Sequence, residues 1–207
     1  MSFDLSVIPN KNIVLAVTGG IAAYKSAILV RRLKDAGFNV RVVMTEGAQA
    51  FITPLTFQAL SGNPVHTELL NPEAEAGMGH IELARWADLL LVAPASCDTL
   101  AKFATGLADD LLSTLYLATK SPVWVAPAMN QQMWAAKATQ RNLNTLVEDG
   151  VHVIMPDAGS QACGDVGLGR MPEPEDLALQ VTQYFHRAQR AIAEKFGLLA
   201  GKHVVVT

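Results

Sequence analysis

An α/β protein with a doubly wound, mainly parallel three-layer sheet is the fold class this sequence predicts, Rossmann-like or flavodoxin-like, with helices on both faces. Three observations predict it. Short apolar runs alternate with segments of helical period along the 207 residues. Several of those runs are apolar at every position, as strands covered on both faces must be. The first run also empties into Thr18-Gly19-Gly20, which opens a helical segment, the usual way a parallel sheet meets a ligand.

In chain order, Asn12–Val17 reads as the first strand and about Ile21 to Ala36 as a helix, closed by Gly37 where positive φ is favoured. Asn39–Met44 is the second strand. Pro54–Leu60 reads as a helix ended by Ser61-Gly62. Leu89–Ala93 is a strand followed by helices over Asp98–Phe103 and Asp109–Ala118. Val123–Ala126 is a strand ended by Pro127, which lacks a ladder donor. A helix over Thr139–Asp149, a strand over Val151–Met155 and an amphipathic helix from about Pro174 to Phe196 complete the pattern.

Two segments break the rhythm. Leu70–Gly79 is polar or small, and Pro156–Pro172 holds four glycines without periodicity. A long structureless stretch of that kind inside a compact domain is expected to be a functional lid or disordered. At the far end, Lys202–Thr207 echoes the strand entry at Lys11–Thr18. Residues 1–190 are therefore expected to form one domain, and 191–207 a linker and the first strand of a truncated second one, the alternative being a final strand that completes this sheet.

Half the residues are apolar and 17% charged, with net charge −3. That composition supports a large core and gives no basic footprint for nucleic acid. The run Leu89–Ala95 is far short of a membrane span, and Met1–Asn10 lacks the pattern of a signal peptide. Two cysteines, Cys97 and Cys163, fit thiols in a cytoplasmic protein.

The glycine turn at 18–25 lacks the Gly-Lys-Ser/Thr ending of a Walker A loop and the third glycine of G-x-G-x-x-G. Glu46 after the second strand is a weak imitation of a ribose-binding acid. A mononucleotide phosphate at Gly19, Gly20, Ile21 and Ala22 is the better expectation, since a helix start attracts anions. Thr45, Ser96 and Thr99 leave neighbouring strands on the same edge and are further donor candidates; Ser96 and Thr99 also read as N-capping residues. Pro127-Ala128-Met129-Asn130-Gln131-Gln132-Met133-Trp134 follows another strand, with an amide between thioethers and an indole. Asn130 there is either a helix N-cap or a ligand-facing amide.

Taken in order, Gly-Gly-Ile-Ala-Ala-Tyr-Lys at 19–25, Met44-Thr45-Glu46, Gly79-His80-Ile81-Glu82-Leu83, Ala93-Pro94-Ala95, the 127–133 segment and Gly159-Ser160-Gln161-Ala162-Cys163-Gly164 resemble the homo-oligomeric flavin-containing cysteine decarboxylases. The resemblance spans about Lys11 to Gln189 and is greatest to the phosphopantothenoylcysteine branch, fused in bacteria to a ligase. It implies FMN, a homotrimer with FMN between subunits that assembles further to a dodecamer, and decarboxylation of phosphopantothenoylcysteine to phosphopantetheine in coenzyme A biosynthesis. Oxidation of the thiol carbon to a thioaldehyde would supply the electron sink for loss of carbon dioxide, and the enethiol would then be reduced. No ligase activity is expected from this span.

Within that resemblance His80 is the general-base candidate for the substrate thiol, and Asn130 the residue that holds the departing carboxylate. Cys163, on the lid with Ala162, would protonate the enethiolate. Met129 and Met133 would shape the flavin pocket, with core packing the alternative for Met133. Arg85 would reach substrate across a subunit boundary, or else pair with Glu82 at helical spacing. Cys97 is expected to be inert packing, and His66, His152, His186 and His203 structural. The competing functions are a peptidyl-cysteine decarboxylase and a flavin-binding regulatory subunit.

Overall fold

The computed structural model of the chain describes residues 10–69 and 79–195. The expected strand at 202–207 and nearly all of the Leu70–Gly79 stretch lie outside them. The first half runs β1 (Asn12–Val17), α1 (Ala23–Asp35), β2 (Asn39–Met44), α2 (Glu46–Gln49), α3 (Pro54–Ser61), β3 (Val65–His66), α4 (Gly79–Trp86) and β4 (Leu89–Ala95). The second half runs α5 (Cys97–Thr105), α6 (Leu111–Ala118), β5 (Val123–Pro127), α7 (Gln131–Ala135), α8 (Lys137–Glu148), β6 (His152–Val153), β7 (Asp157–Ser160), β8 (Val166–Arg170) and α9 (Pro174–Lys195).

Six strands form one parallel sheet in the order β3-β2-β1-β4-β5-β6. The two-residue β3 decides which description applies. With it the order is the Rossmann one; without it, the flavodoxin one. Both put the reversal of strand order between β1 and β4, and it is there, beyond the carboxyl ends, that a crevice must open.

Alternation along β1 shows how the sequence builds two cores. Ile13, Leu15 and Val17 pack with Leu29 and Leu33 of α1, Phe57 of α3 and Leu177 and Val181 of α9. Val14 and Ala16 face the other way, with Leu83 of α4, Leu100 of α5, Leu112 of α6 and Leu146 of α8. Because successive side chains point to opposite faces, a strand covered on both sides must be apolar throughout. β4 is buried at all seven positions for this reason. Each fully buried leucine contributes about 1.5–3 kcal/mol, so the central strands set the rigidity of the carboxyl edge.

Beyond adding α2, β3, α4 and α7 to the expected elements, the structure departs from expectation in three places. α1 begins at Ala23, leaving Gly19–Ala22 as a free turn rather than part of the helix. β6 keeps only His152–Val153 of the strand expected over Val151–Met155. The segment expected to be structureless is an antiparallel hairpin, β7 paired with β8. Its strands are mostly exposed, so no apolar alternation marks them in the sequence. Gly159, Gly164 and Gly169 all take positive φ, which explains the glycine content that resembled a loop. Among the described residues no helix is long and apolar enough to cross a membrane.

Candidate active site

The crevice between β1 and β4 is held open by one buried threonine. Thr18, fully buried, donates from Oγ1 to the Pro94 carbonyl at 2.8 Å and accepts from the Ser96 N–H at 2.8 Å. Ser26 of α1 donates to the Ala93 carbonyl at 2.6 Å. These bonds lock the two turns that flank the switch point into one unit.

The glycine turn then lies open. Among the described residues, the N–H groups of Gly19, Gly20, Ile21 and Ala22 donate to no backbone carbonyl. α1 begins without a side-chain cap and with no acid in its first turn. Four unspent donors at an uncapped helix start form a site for an anion. Gly19 is required by packing, since a Cβ there would sit 3.0–3.2 Å from the backbone of Gly47. At Gly20 the space is open.

Ser96 lines the crevice and caps α5, accepting from the Thr99 N–H at 3.2 Å. Thr99 is buried behind it, hydroxyl to hydroxyl at 3.0 Å, and Thr45 caps α2 through the Ala48 N–H. Neither Thr45 nor Thr99 lines the crevice; each fixes a neighbour that does or that abuts it. Cys97, expected to be packing, is on the crevice wall with its Sγ 3.4 Å from the Thr139 hydroxyl.

The turn after β5 supplies the opposite wall with Ala128, Met129, Asn130 and Met133. Asn130 is the helix N-cap the sequence allowed, and it also lines the crevice. Its Oδ1 caps α7 by accepting from the Gln132 N–H at 2.8 Å, which leaves Nδ2 free to donate outward. Met133 is 47% exposed, so it belongs to the crevice rather than the core.

The β7–β8 hairpin is docked on this turn. The Met129 N–H donates to the Gly169 carbonyl at 2.9 Å. Gln161 Nε2 donates to the carbonyls of Met129 and Leu168, both at 3.2 Å, and its Oε1 accepts from the Gln131 N–H at 3.0 Å. A Cβ at Gly169 would overlap the Met129 carbonyl, and one at Gly167 the Gln131 side chain. Glycine is therefore needed for the close approach of hairpin to turn. Lys25, nine-tenths buried, roots the hairpin to α1 by donating to the Met171 carbonyl at 2.8 Å and to Glu173 at 2.7 Å.

Docking brings Asn130 and Cys163 together. Asn130 Nδ2 lies 3.3 Å from Cys163 Sγ and donates to Asp165 Oδ2 at 2.8 Å. The thiol itself donates to Asp165 at 3.5 Å. The crevice, open on one side, has a volume of about 520 Å³ and is bounded by the glycine turn, Ser96, Met129, Asn130, Met133, Ala162 and Cys163. That size suits a flat ring with a phosphate tail and leaves room beside it.

His80 and Arg85 are not on its wall. Both belong to α4, with His80 in the first turn and Arg85 in the last. Arg85 is not paired with Glu82, which instead accepts from Arg41 at 3.0 Å. His80 Nδ1 is buried and has no hydrogen-bond partner among the described residues. Nearby on β3, burial and then the Arg41 charge push the His66 imidazole below its ordinary value.

A flavoprotein family profile matches residues 4–186. The chain belongs to the flavoprotein family. It is 58% identical over 175 residues to the coenzyme A biosynthesis bifunctional protein CoaBC of Escherichia coli (strain K12), covering 84% of this chain and 43% of that one. The chain thus spans about half the length of the curated relatives it matches. Among solved structures it is similar to a cysteine-to-serine mutant of PPC decarboxylase complexed with pantothenoylaminoethenethiol. There the identity is 34%, the TM-score 0.76, and the coverage 86% of this chain and 99% of that one. It is also similar to the FMN-dependent cysteine decarboxylase SpaF, at 32% identity and TM-score 0.70, covering 84% of this chain and 97% of that one.

Four contributors to the site escaped sequence reasoning: Thr18, Lys25, Gln161 and Asp165. Thr18 and Lys25 stood inside the glycine motif and Gln161 inside the Cys163 motif, but as motif letters without a partner. Their partners lie 76 or more residues away for Thr18, 146 or more for Lys25, and about 30 for Gln161.

Proposed function

We propose that this chain is the FMN-dependent decarboxylase of phosphopantothenoylcysteine in cytoplasmic coenzyme A synthesis, and that the longer protein carries a ligase after it. The observation that carries the reading is the meeting of Asn130 and Cys163, 3.3 Å apart, over a crevice whose far end offers four unspent N–H groups. Similarity to a PPC decarboxylase and to an FMN-dependent cysteine decarboxylase, along 97% or more of each of those chains, supports it.

The residues fit FMN. The open turn at Gly19, Gly20, Ile21 and Ala22 suits its phosphate, with Ser96 as a further donor and Met129 against the ring. Thr45 acts through the turn it caps, and Thr99 through its hydroxyl contact with Ser96. Bound FMN supplies the reversible two-electron chemistry that a cysteine carboxylate needs before carbon dioxide can leave.

The side chains then divide the remaining work. Asn130 holds the substrate carboxylate through Nδ2, a neutral donor that does not stabilise the anion as an ion pair would. Cys163 returns a proton from Sγ to the carbon that carried the carboxylate, and the hairpin with Ala162 excludes water meanwhile. Met133 bounds the substrate side of the crevice.

His80 takes the thiol proton, and Arg85 meets the anionic part of substrate, from a neighbouring subunit of a homotrimer that assembles to a dodecamer. Their absence from this chain's own crevice supports a composite site. So do Ile21 and Tyr24, which are 63% and 56% exposed at the crevice rim.

Two experiments test this. Mass spectrometry after offering the pure FMN protein phosphopantothenoylcysteine or a peptide ending in cysteine should show loss of carbon dioxide from the first alone; loss only from the peptide refutes the substrate. Co-expressed His80→Asn and Asn130→Leu chains should regain activity that neither has alone. Failure to complement places both residues in one subunit.

A further inference from the structure

We propose that Asp165 is a built-in stand-in for the substrate carboxylate: with the hairpin docked, its side chain occupies the amide donor that the leaving carboxylate must take. The inference rests on the substrate reading above and adds to it a residue that sets how tightly the carboxylate is held.

The donor capacity of Asn130 is limited. A primary amide has one carbonyl oxygen and two N–H donors. The oxygen of Asn130 is fixed by the Gln132 N–H at 2.8 Å, so the side chain cannot turn over to offer a different face. Its nitrogen is spent on Asp165 Oδ2 at 2.8 Å and on Cys163 Sγ at 3.3 Å. Only the first is a charge-assisted bond of full strength, and its length is typical of one. The other N–H is turned to the Cys163 thiol, which is itself bonded to Asp165, so a second carboxylate gains a full-strength bond from Nδ2 only by displacing Asp165 or the thiol bound to it.

The same carboxylate also accepts from the Cys163 thiol at 3.5 Å. Asp165 therefore holds the carboxylate ligand and the proton donor in one cluster before substrate arrives. Eviction frees both together. Asp165 is exposed, and its backbone carbonyl accepts from the Gln161 N–H at 2.7 Å. The side chain can thus swing into water while the hairpin backbone stays in place. Once displaced, it remains within the same turn as an unneutralised negative charge beside the arriving carboxylate, and this also opposes binding.

Asp165 is a positioning residue under this proposal, and its effect must depend on whether the ligand carries a carboxylate. The probes are two thiol-free analogues that cannot turn over: phosphopantothenoylserine, which keeps the carboxylate, and phosphopantothenoylethanolamine, which lacks it. Their dissociation constants are measured by calorimetry on FMN-loaded wild type, Asp165→Ala and Asp165→Asn. Exchange of a charge-assisted acceptor for none, at an exposed site, should tighten the serine analogue by about three- to tenfold in Asp165→Ala. Asp165→Asn, which keeps a neutral acceptor, should tighten it by a smaller factor. The ethanolamine analogue should bind all three proteins alike.

Unchanged binding of the serine analogue overturns the proposal. Weaker binding of it does so too, by making Asp165 part of the carboxylate site. Equal changes for both analogues assign Asp165 to hairpin stability and reject the stand-in. If wild type binds neither analogue while its FMN is bound, it is the substrate reading that fails, and the inference with it.

Discussion

Replacing Gln161 by alanine should undock the hairpin without touching either core. One side-chain amide makes three close bonds, from the Gln131 N–H at 3.0 Å and to the Met129 and Leu168 carbonyls at 3.2 Å each, beside a long contact from the Cys163 thiol at 4.0 Å. Two of them cross from hairpin to turn. Each such bond is worth a net 0.5–1.5 kcal/mol, so the two together contribute about 1–3 kcal/mol, toward the low end where water can replace them. The backbone bond from Met129 to Gly169 survives and keeps some docking. Amide hydrogen exchange across residues 157–170 and at Gln131 should accelerate by about 5–30-fold, the factor that 1–2 kcal/mol of local opening implies. Exchange in β1 and β4 should not move. Gln161→Glu keeps the acceptor for Gln131 but loses the donor to Met129, and should fall between the two. Turnover should drop with docking, since Asn130 and Cys163 meet only when the hairpin is down. Wild-type exchange rates in Gln161→Ala would refute the view that this side chain holds the lid.

Thr18→Val should cost about 1–3 kcal/mol in urea unfolding, because the Ser96 N–H loses its partner and the buried Pro94 carbonyl keeps only the longer bond from the Thr18 N–H at 3.3 Å. A loss below that of an ordinary surface substitution would mean the clamp is dispensable. Gly19→Ala should fold but purify with little flavin, because its Cβ must push the turn off Gly47; the ratio of flavin to protein absorbance reads this. Asp110 offers a pH test. Burial pushes its carboxyl up, but bonds from the Ser113 N–H, Lys102 and the Ser113 hydroxyl outweigh that and hold it below the ordinary 3.8. The unfolded chain then takes up the proton first on acidification. The contribution is complete above the ordinary value and is lost as pH falls through the folded one. Asp110→Ala, which also removes the α6 cap, should cost about 1 kcal/mol at neutral pH. The gap to wild type should narrow below pH ~4, and a gap constant in pH would contradict the assignment.

The sheet was legible because burial on two faces writes itself into composition: β1, β2, β4 and β5 are apolar runs within two residues of their expected ends. The hairpin was not, because its stability comes from glycine backbone geometry and contacts to a turn about 30 residues earlier, neither of which imposes a period. At the site, Asn130, Cys163, Ser96 and the glycine turn were readable as motif residues. What could not be read was who holds them. Thr18, Lys25, Gln161 and Asp165 act through partners that only the fold brings near. His80 marks a different limit, since one chain does not bring it to the crevice.

The central claim is that this crevice binds FMN and decarboxylates phosphopantothenoylcysteine. Anaerobic mixing of the pure flavin-loaded protein with that substrate, followed by absorbance and released carbon dioxide, tests it most directly. The account predicts one flavin per chain, transient bleaching on mixing, and one carbon dioxide for each substrate consumed. A flavin spectrum that substrate leaves unchanged, with no carbon dioxide released, would contradict it.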